Sequence, residues 1–122
     1  MAKALRILIA DRNRHVRELL RRELNAEGYQ VEVAKDGREV LSILESHEPP
    51  HLLILDLEIP YVAELEVLAR LKEHQPPLPL VIHSLLPEAA NQPSLPQGAV
   101  FLEKKGDTDS LKAVVAQVLG QN

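Results

Sequence analysis

Apolar residues run along this chain in two alternating rhythms. Leu5–Ala10 is a short run broken only by Arg6 and ending at Asp11. That pattern suits a strand covered on both faces, which need not alternate. Val16, Leu19, Leu20 and Leu24 then recur at helical spacing, and Gly28 stands where a helix stop belongs. Tyr29–Ala34 alternates polar with β-branched residues and reads as a second strand. Asp36 and Gly37 make a turn, Val40, Ile43 and Leu44 mark a second helix, and Pro49 and Pro50 close it. His51–Asp56 repeats the first pattern, an apolar run ending in a carboxylate. Leu65, Leu68 and Leu71 predict a third helix that stops at Gln75–Pro77. Pro79–Ser84 is a fourth strand ending in a hydroxyl, and Val100–Lys104 a fifth ending in an amine. Leu111, Val114, Val115, Val118 and Leu119 form an amphipathic last helix stopped by Gly120.

Strand and helix in alternation predict a parallel sheet with helices on both faces, as one domain over residues 1–122. One link is weak. All nine prolines follow Glu48, and six of them fall between Pro76 and Pro96. With Pro87, Pro93 and Pro96 in it, the segment from Leu85 to Gln97 has room for about one or two helical turns.

Composition narrows the class. Without cysteine there is no disulfide framework, Cys-ligated metal or Cys nucleophile, and a reducing cytoplasm is the default setting. No apolar stretch approaches the ~18 residues of a membrane span. Two Tyr, one Phe and no Trp leave little on which bases could stack. The net charge of −4 hides an asymmetry: residues 1–22 carry seven Lys or Arg against two acids, and the remaining hundred carry seven against sixteen. Arg14, Arg17, Arg21 and Arg22 would touch nucleic acid, dock an acidic partner, or pair with Glu18 and Glu23 on their own helix. An acidic chain with no recognition helix argues against direct nucleic-acid binding. The five histidines show no metal-ligand spacing, and neither a dinucleotide nor a P-loop glycine motif occurs.

The chemistry gathers at the strand ends, where Asp11, Asp56, Ser84 and Lys104 stand. Ligands of open parallel sheets sit at the carboxyl ends of strands, near the switch point in strand order. In the order 2-1-3-4-5, strands one and three are neighbours there, and their carboxylates converge. Such a pair invites a hard cation such as Mg²⁺. A nearby hydroxyl and ammonium would hold a phosphoryl group.

The segments Ile7–Asp11, Leu53–Pro60, Val81–Ser84 and Gly98–Lys104 together resemble the receiver domain of two-component response regulators, end to end. The resemblance implies a flavodoxin-like (CheY-like) doubly wound sheet of five parallel strands, order 2-1-3-4-5. It implies that Asp56 accepts a phosphoryl group from a sensor histidine kinase or phosphotransfer protein. Ser84 and Lys104 would bond that group, and Phe101 would be the aromatic that rotates inward with Ser84 on activation. Mg²⁺ would lie on Asp11, Asp56 and the backbone carbonyl of Glu58, and output would go to an effector protein or a homodimer. Any catalysis would be the domain's own transfer to Asp56.

Departures from the family's pattern qualify this. The family ends its first strand in two acids, whereas Asp11 is followed by Arg12, a permanent cation that would pair with Asp56 or Asp11 and counts against Mg²⁺. Leu85 replaces a small residue after Ser84, and would either shield Asp56 or turn outward. Glu64 stands where the family has glycine, so the loop there should differ. The Glu58 side chain would supply a replacement carboxylate or, the reading preferred, is a surface acid, and Lys105 is an understudy for Lys104. The proline-rich stretch alters the family's usual output face. The alternative reading is therefore a phosphorylation-independent docking or assembly module on a receiver fold. A flavodoxin-type cofactor binder lacks the aromatics it would need.

Overall fold

The computed structural model describes residues 4–120. Its elements follow the rhythm of the sequence: β1 (Arg6–Ala10), α1 (Arg14–Ala26), β2 (Gln30–Ala34), α2 (Gly37–Leu44), β3 (Leu52–Leu55), α3 (Val67–Glu73), β4 (Leu80–Ser84), a 3-10 turn (Pro87–Asn91), β5 (Val100–Glu103) and α4 (Asp109–Leu119). The strands form one parallel sheet in the order β2-β1-β3-β4-β5.

The unbroken apolar strands are explained by two cores, one on each face of the sheet. Leu8, Leu53, Leu55 and Ile82 face α2 and α3, and pack with Val40, Val67 and Leu71. Their strand neighbours Ile7, Ile9, Leu52, Ile54 and Val81 face the other way, against Leu20, Leu24, Leu111 and Val115 of α1 and α4. Alternate residues of one strand thus feed different cores. β2 is an edge strand, and its burial alternates as its sequence does.

Local chemistry sets the helix ends. Asn13 caps α1, its side-chain oxygen accepting from the amides of His15 and Val16 at 2.8 and 3.2 Å. Asp36 caps α2 in the same way through Arg38 and Glu39. Past α1 and α4, Gly28 and Gly120 take φ of +97° and +70°, the left-handed geometry expected of helix stops. Gly37 answers a different demand. Its amide donates to Pro60 O at 2.8 Å, and a Cβ there would stand 2.9 Å from Tyr61 O. The turn read at Asp36 and Gly37 is therefore the cap and first residue of α2, pressed against the loop after β3.

Two differences from the sequence reading lie on that side. The third helix begins at Val67, so Leu65 belongs to the preceding turns, where it still packs on the core. Left-handed backbone falls on Tyr61 (φ 72°) and Glu66 (φ 52°) and not on Glu64. Arg38 lies 4.4 Å over the Tyr61 ring, which helps hold that residue in place. After β4, the proline-rich stretch makes five residues of 3-10 helix, within the one or two turns expected.

Candidate functional site at the carboxyl edge of the sheet

The register of β1 and β3 pairs Ala10 with Leu55, so the next residues, Asp11 and Asp56, are neighbours. The Asp56 amide donates to Ala10 O at 2.9 Å and fixes that junction. Ser84 ends β4, and the Lys104 amide donates to its carbonyl at 2.8 Å, which brings the end of β5 alongside. The four residues expected to converge therefore share one edge. Asp11, Asp56 and Ser84 are all 2% exposed or less.

The ammonium of Lys104 lies 2.7 Å from Asp11 Oδ2 and 3.5 Å from Asp56 Oδ2. The other carboxylate oxygens accept from backbone: Asp11 Oδ1 from the Asn13 amide at 2.9 Å, and Asp56 Oδ1 from the Glu58 amide at 3.0 Å. Arg17 Nη1 donates to the Asp11 carbonyl at 2.7 Å. Ser84 Oγ accepts from the Leu86 amide at 3.0 Å.

Arg12 lies across the pocket. Its Nε stands 3.7 Å from Asp56 Oδ2, its amide donates to the same oxygen at 3.4 Å, and its Nη2 reaches Glu58 Oε2 at 3.3 Å. Of the two partners expected for it, Asp56 is the one it meets. Glu58 is exposed, as read from the sequence, and it is also the outer anchor of Arg12, a pairing across 46 residues that no local pattern signals. Leu85 is 60% exposed, so it turns outward and leaves Asp56 unshielded from that side. Lys105 is exposed, and Lys104 makes both carboxylate contacts. Phe101 is half-buried against the core on the α2–α3 face.

One feature escaped the sequence reading. Beside the pocket, a cleft of about 700 Å³ opens between the loop after β3, α3 and the segment after the 3-10 turn, with Glu58, Tyr61, Leu68, Lys72 and Gln92 on its walls. Its signal was the proline cluster that shortens the fourth helix. The basic cluster of α1 is largely committed within the molecule: Arg21 pairs with Glu18, Arg22 with Glu23, and Arg17 with the Asp11 carbonyl.

His83 is a strand residue near the pocket, on the α1–α4 face of β4. It is buried, and its Nδ1 finds no hydrogen-bond partner among the described residues. Burial, then the nearby Lys104 charge, holds its pKa below the ordinary 6.5, while Asp11 and Asp56 pull the other way. The unfolded chain therefore protonates first as pH falls. His83 leaves stability at its full value above about pH 6.5 and erodes it as pH drops toward the folded pKa, by up to about 1.4 kcal/mol per pH unit. Urea denaturation at pH 7.5 and 5.5 should show that loss in the wild type and a smaller one in His83→Leu. Equal losses in both would assign the acid sensitivity to other groups.

The model of the response regulator receiver domain family matches residues 7–116. The chain belongs to that family. Over 62 residues this receiver is 47% identical to the response regulator MprA of Mycolicibacterium vanbaalenii, a match covering 51% of the chain and 26% of the relative's length. The response regulator TrrA of Thermotoga maritima, solved in complex with Mg²⁺-BeF, superposes with a TM-score of 0.81 at 28% identity, covering 93% of this chain and 98% of the other. TrrA in complex with the histidine kinase ThkA gives 0.80 at 30% identity, with 94% and 98% covered. Among the described residues, no helix is long and apolar enough to cross a membrane.

Receivers of this family thus raise the question of Mg²⁺, and the donor set here does not fit it. Mg²⁺ demands near-octahedral oxygen ligands at about 2.0–2.1 Å. Of the two carboxylates, Asp11 Oδ2 is held by Lys104, Asp56 Oδ2 faces both Lys104 and Arg12, and each Oδ1 accepts from an amide. Among the described residues, no three acidic or imidazole side chains converge on a point where an ion could sit. The Arg12 guanidinium is a further positive charge at this edge, between Asp56 and Glu58.

Proposed function

We propose that this receiver, a single domain over residues 1–122, accepts a phosphoryl group on Asp56 in a two-component phosphorelay and signals through protein contacts. The observation that carries the reading is the Lys104 ammonium 3.5 Å from Asp56 Oδ2, at a sheet edge that Ser84 also ends. A carboxylate oxygen of Asp56 attacks the phosphorus of a phosphohistidine and the P–N bond breaks. The imidazole nitrogen leaves with the electron pair and takes a proton from water, and an acyl phosphate remains on Asp56. Lys104 offsets charge on the transferring oxygens, and the Ser84 hydroxyl is a donor for one of them. The family's TrrA, solved with the kinase ThkA, supports a histidine kinase or phosphotransfer protein as donor. The recipient is an effector protein or a second copy, in the cytoplasm, with no direct role for nucleic acid. Catalysis is limited to the pocket's own transfer.

Incubation with acetyl phosphate should add the mass of one phosphoryl group, and Asp56→Asn should abolish the addition. A mass gain that survives Asp56→Asn would reject Asp56 as the acceptor. The second reading, a docking module that is never phosphorylated, draws on the Arg12–Asp56 contact. It predicts no mass gain from acetyl phosphate or from a phosphorylated histidine donor.

A further inference from the structure

We propose that Arg12 takes the place of the divalent cation in this pocket, so that phosphoryl groups are bound and accepted at Asp56 without metal. The inference rests on the reading of Asp56 as acceptor. Two cations, Arg12 at 3.7 Å and Lys104 at 3.5 Å, face the same oxygen, Asp56 Oδ2. The Lys104 ammonium is mostly buried and already bound to Asp11, whereas the Arg12 side chain is about half exposed and, among the described residues, tethered at its far end only to Glu58. Arg12 is therefore the cation free to follow an incoming ligand.

Its chemistry suits the task. A guanidinium presents a planar fork of N–H donors that matches two phosphoryl oxygens, and it keeps its charge at any working pH. Cationic clamps of Arg or Lys on a transferring phosphoryl group act by the same electrostatics as a metal. The balance of charge also moves the right way. Before transfer, Arg12 is shared by two carboxylates, Asp56 and Glu58. Afterwards the phosphoryl group carries close to two negative charges against one on Glu58, which stands at the solvent edge. Arg12 then swings from Glu58 to the phosphoryl oxygens. The transfer itself is unchanged: the O–P bond to Asp56 forms, the bond to the donor breaks, and the leaving group keeps its electron pair.

The test labels the full chain with acetyl phosphate in EDTA and in Mg²⁺, and reads Asp56 occupancy by intact mass. Wild-type rates should agree within about threefold in the two conditions. Arg12→Gln, which keeps size and removes charge, should slow labelling in EDTA by about 10²-fold or more, and Arg12→Lys should recover part of it. By calorimetry, Arg12→Asp should bind Mg²⁺ at least about tenfold more tightly than the wild type, because it exchanges a cation for an oxygen ligand. Wild-type labelling that collapses in EDTA would overturn the inference and leave Asp56 as acceptor. Arg12→Gln labelling at the wild-type rate in EDTA, or Mg²⁺ affinity unchanged in Arg12→Asp, would likewise overturn it. Wild type that stays unlabelled in both conditions, and with a phosphohistidine donor, would reject the acceptor reading itself.

Discussion

Lys104→Met should cost this receiver about 3–5 kcal/mol of stability, the range for removing one partner of a buried ion pair. The substitution keeps the length of the stem and deletes the charge. Asp11 and Asp56 are each about 1% exposed, and among the described residues Lys104 is the one ammonium that reaches both. Without it, Asp11 Oδ2 loses a 2.7 Å contact, and two neighbouring carboxylates face each other with only Arg12, on the Asp56 side, to offset them. Single domains are stable by about 5–15 kcal/mol, so the loss is a large share of the whole. Urea denaturation at neutral pH gives the measurement. Adding Asp11→Asn to Lys104→Met should return part of the loss, because the buried charge left alone is then removed. A single variant within about 1 kcal/mol of wild type would mean that the pocket hydrates once the ammonium is gone.

Leu53→Ala should cost about 2–5 kcal/mol by the other route, a cavity in a close-packed interior. Leu53 is fully buried in β3, the central strand, and registers with Leu8 on β1 and Leu80 on β4. Neighbours fixed in two flanking strands collapse poorly into the space, which favours the upper half of the range. Asp56 follows directly on the end of the same strand, three residues on, so loosening it also loosens the pocket. The denaturation midpoint should fall, with the slope against urea unchanged. A loss below about 1 kcal/mol would show that α2 and α3 close over the gap.

Most of the sheet and the four strand-end residues were legible in the sequence because both depend on local rules. A strand buried on both faces writes itself as an apolar run, and the residue that ends it is the one that emerges at the sheet's edge. Asp11, Asp56, Ser84 and Lys104 are found by that rule alone. What stayed hidden depends on residues brought together from afar. Arg12 announced a conflict with Mg²⁺, but its second anchor, Glu58, required the loop after β3 to lie over β1. The start of α3 was misplaced because Leu65 has helical spacing to Leu68 while its backbone belongs to a turn, one bounded by left-handed Tyr61 and Glu66. The close approach of Gly37 to Tyr61 shapes that loop, and neither residue's neighbours in sequence hint at it. His83 looked like any strand residue, since the want of a partner for Nδ1 is a property of the packed interior.

The short turn after β4 bears on how far a change at the pocket travels. A long helix at that place would act as a stiff rod, carrying a displacement at its root to a distant tip. Five residues of 3-10 helix span only about 10 Å. The turn is followed by a stretch whose backbone bonds are short-range ones, such as Leu95 N to Gln92 O. Any shift of Ser84 would therefore be absorbed nearby, beside the cleft that Gln92 and Ser94 line with Glu58. On the proposed reading of Asp56 as acceptor, a readout close to the pocket follows, where a partner would feel the change in charge and in cleft shape together.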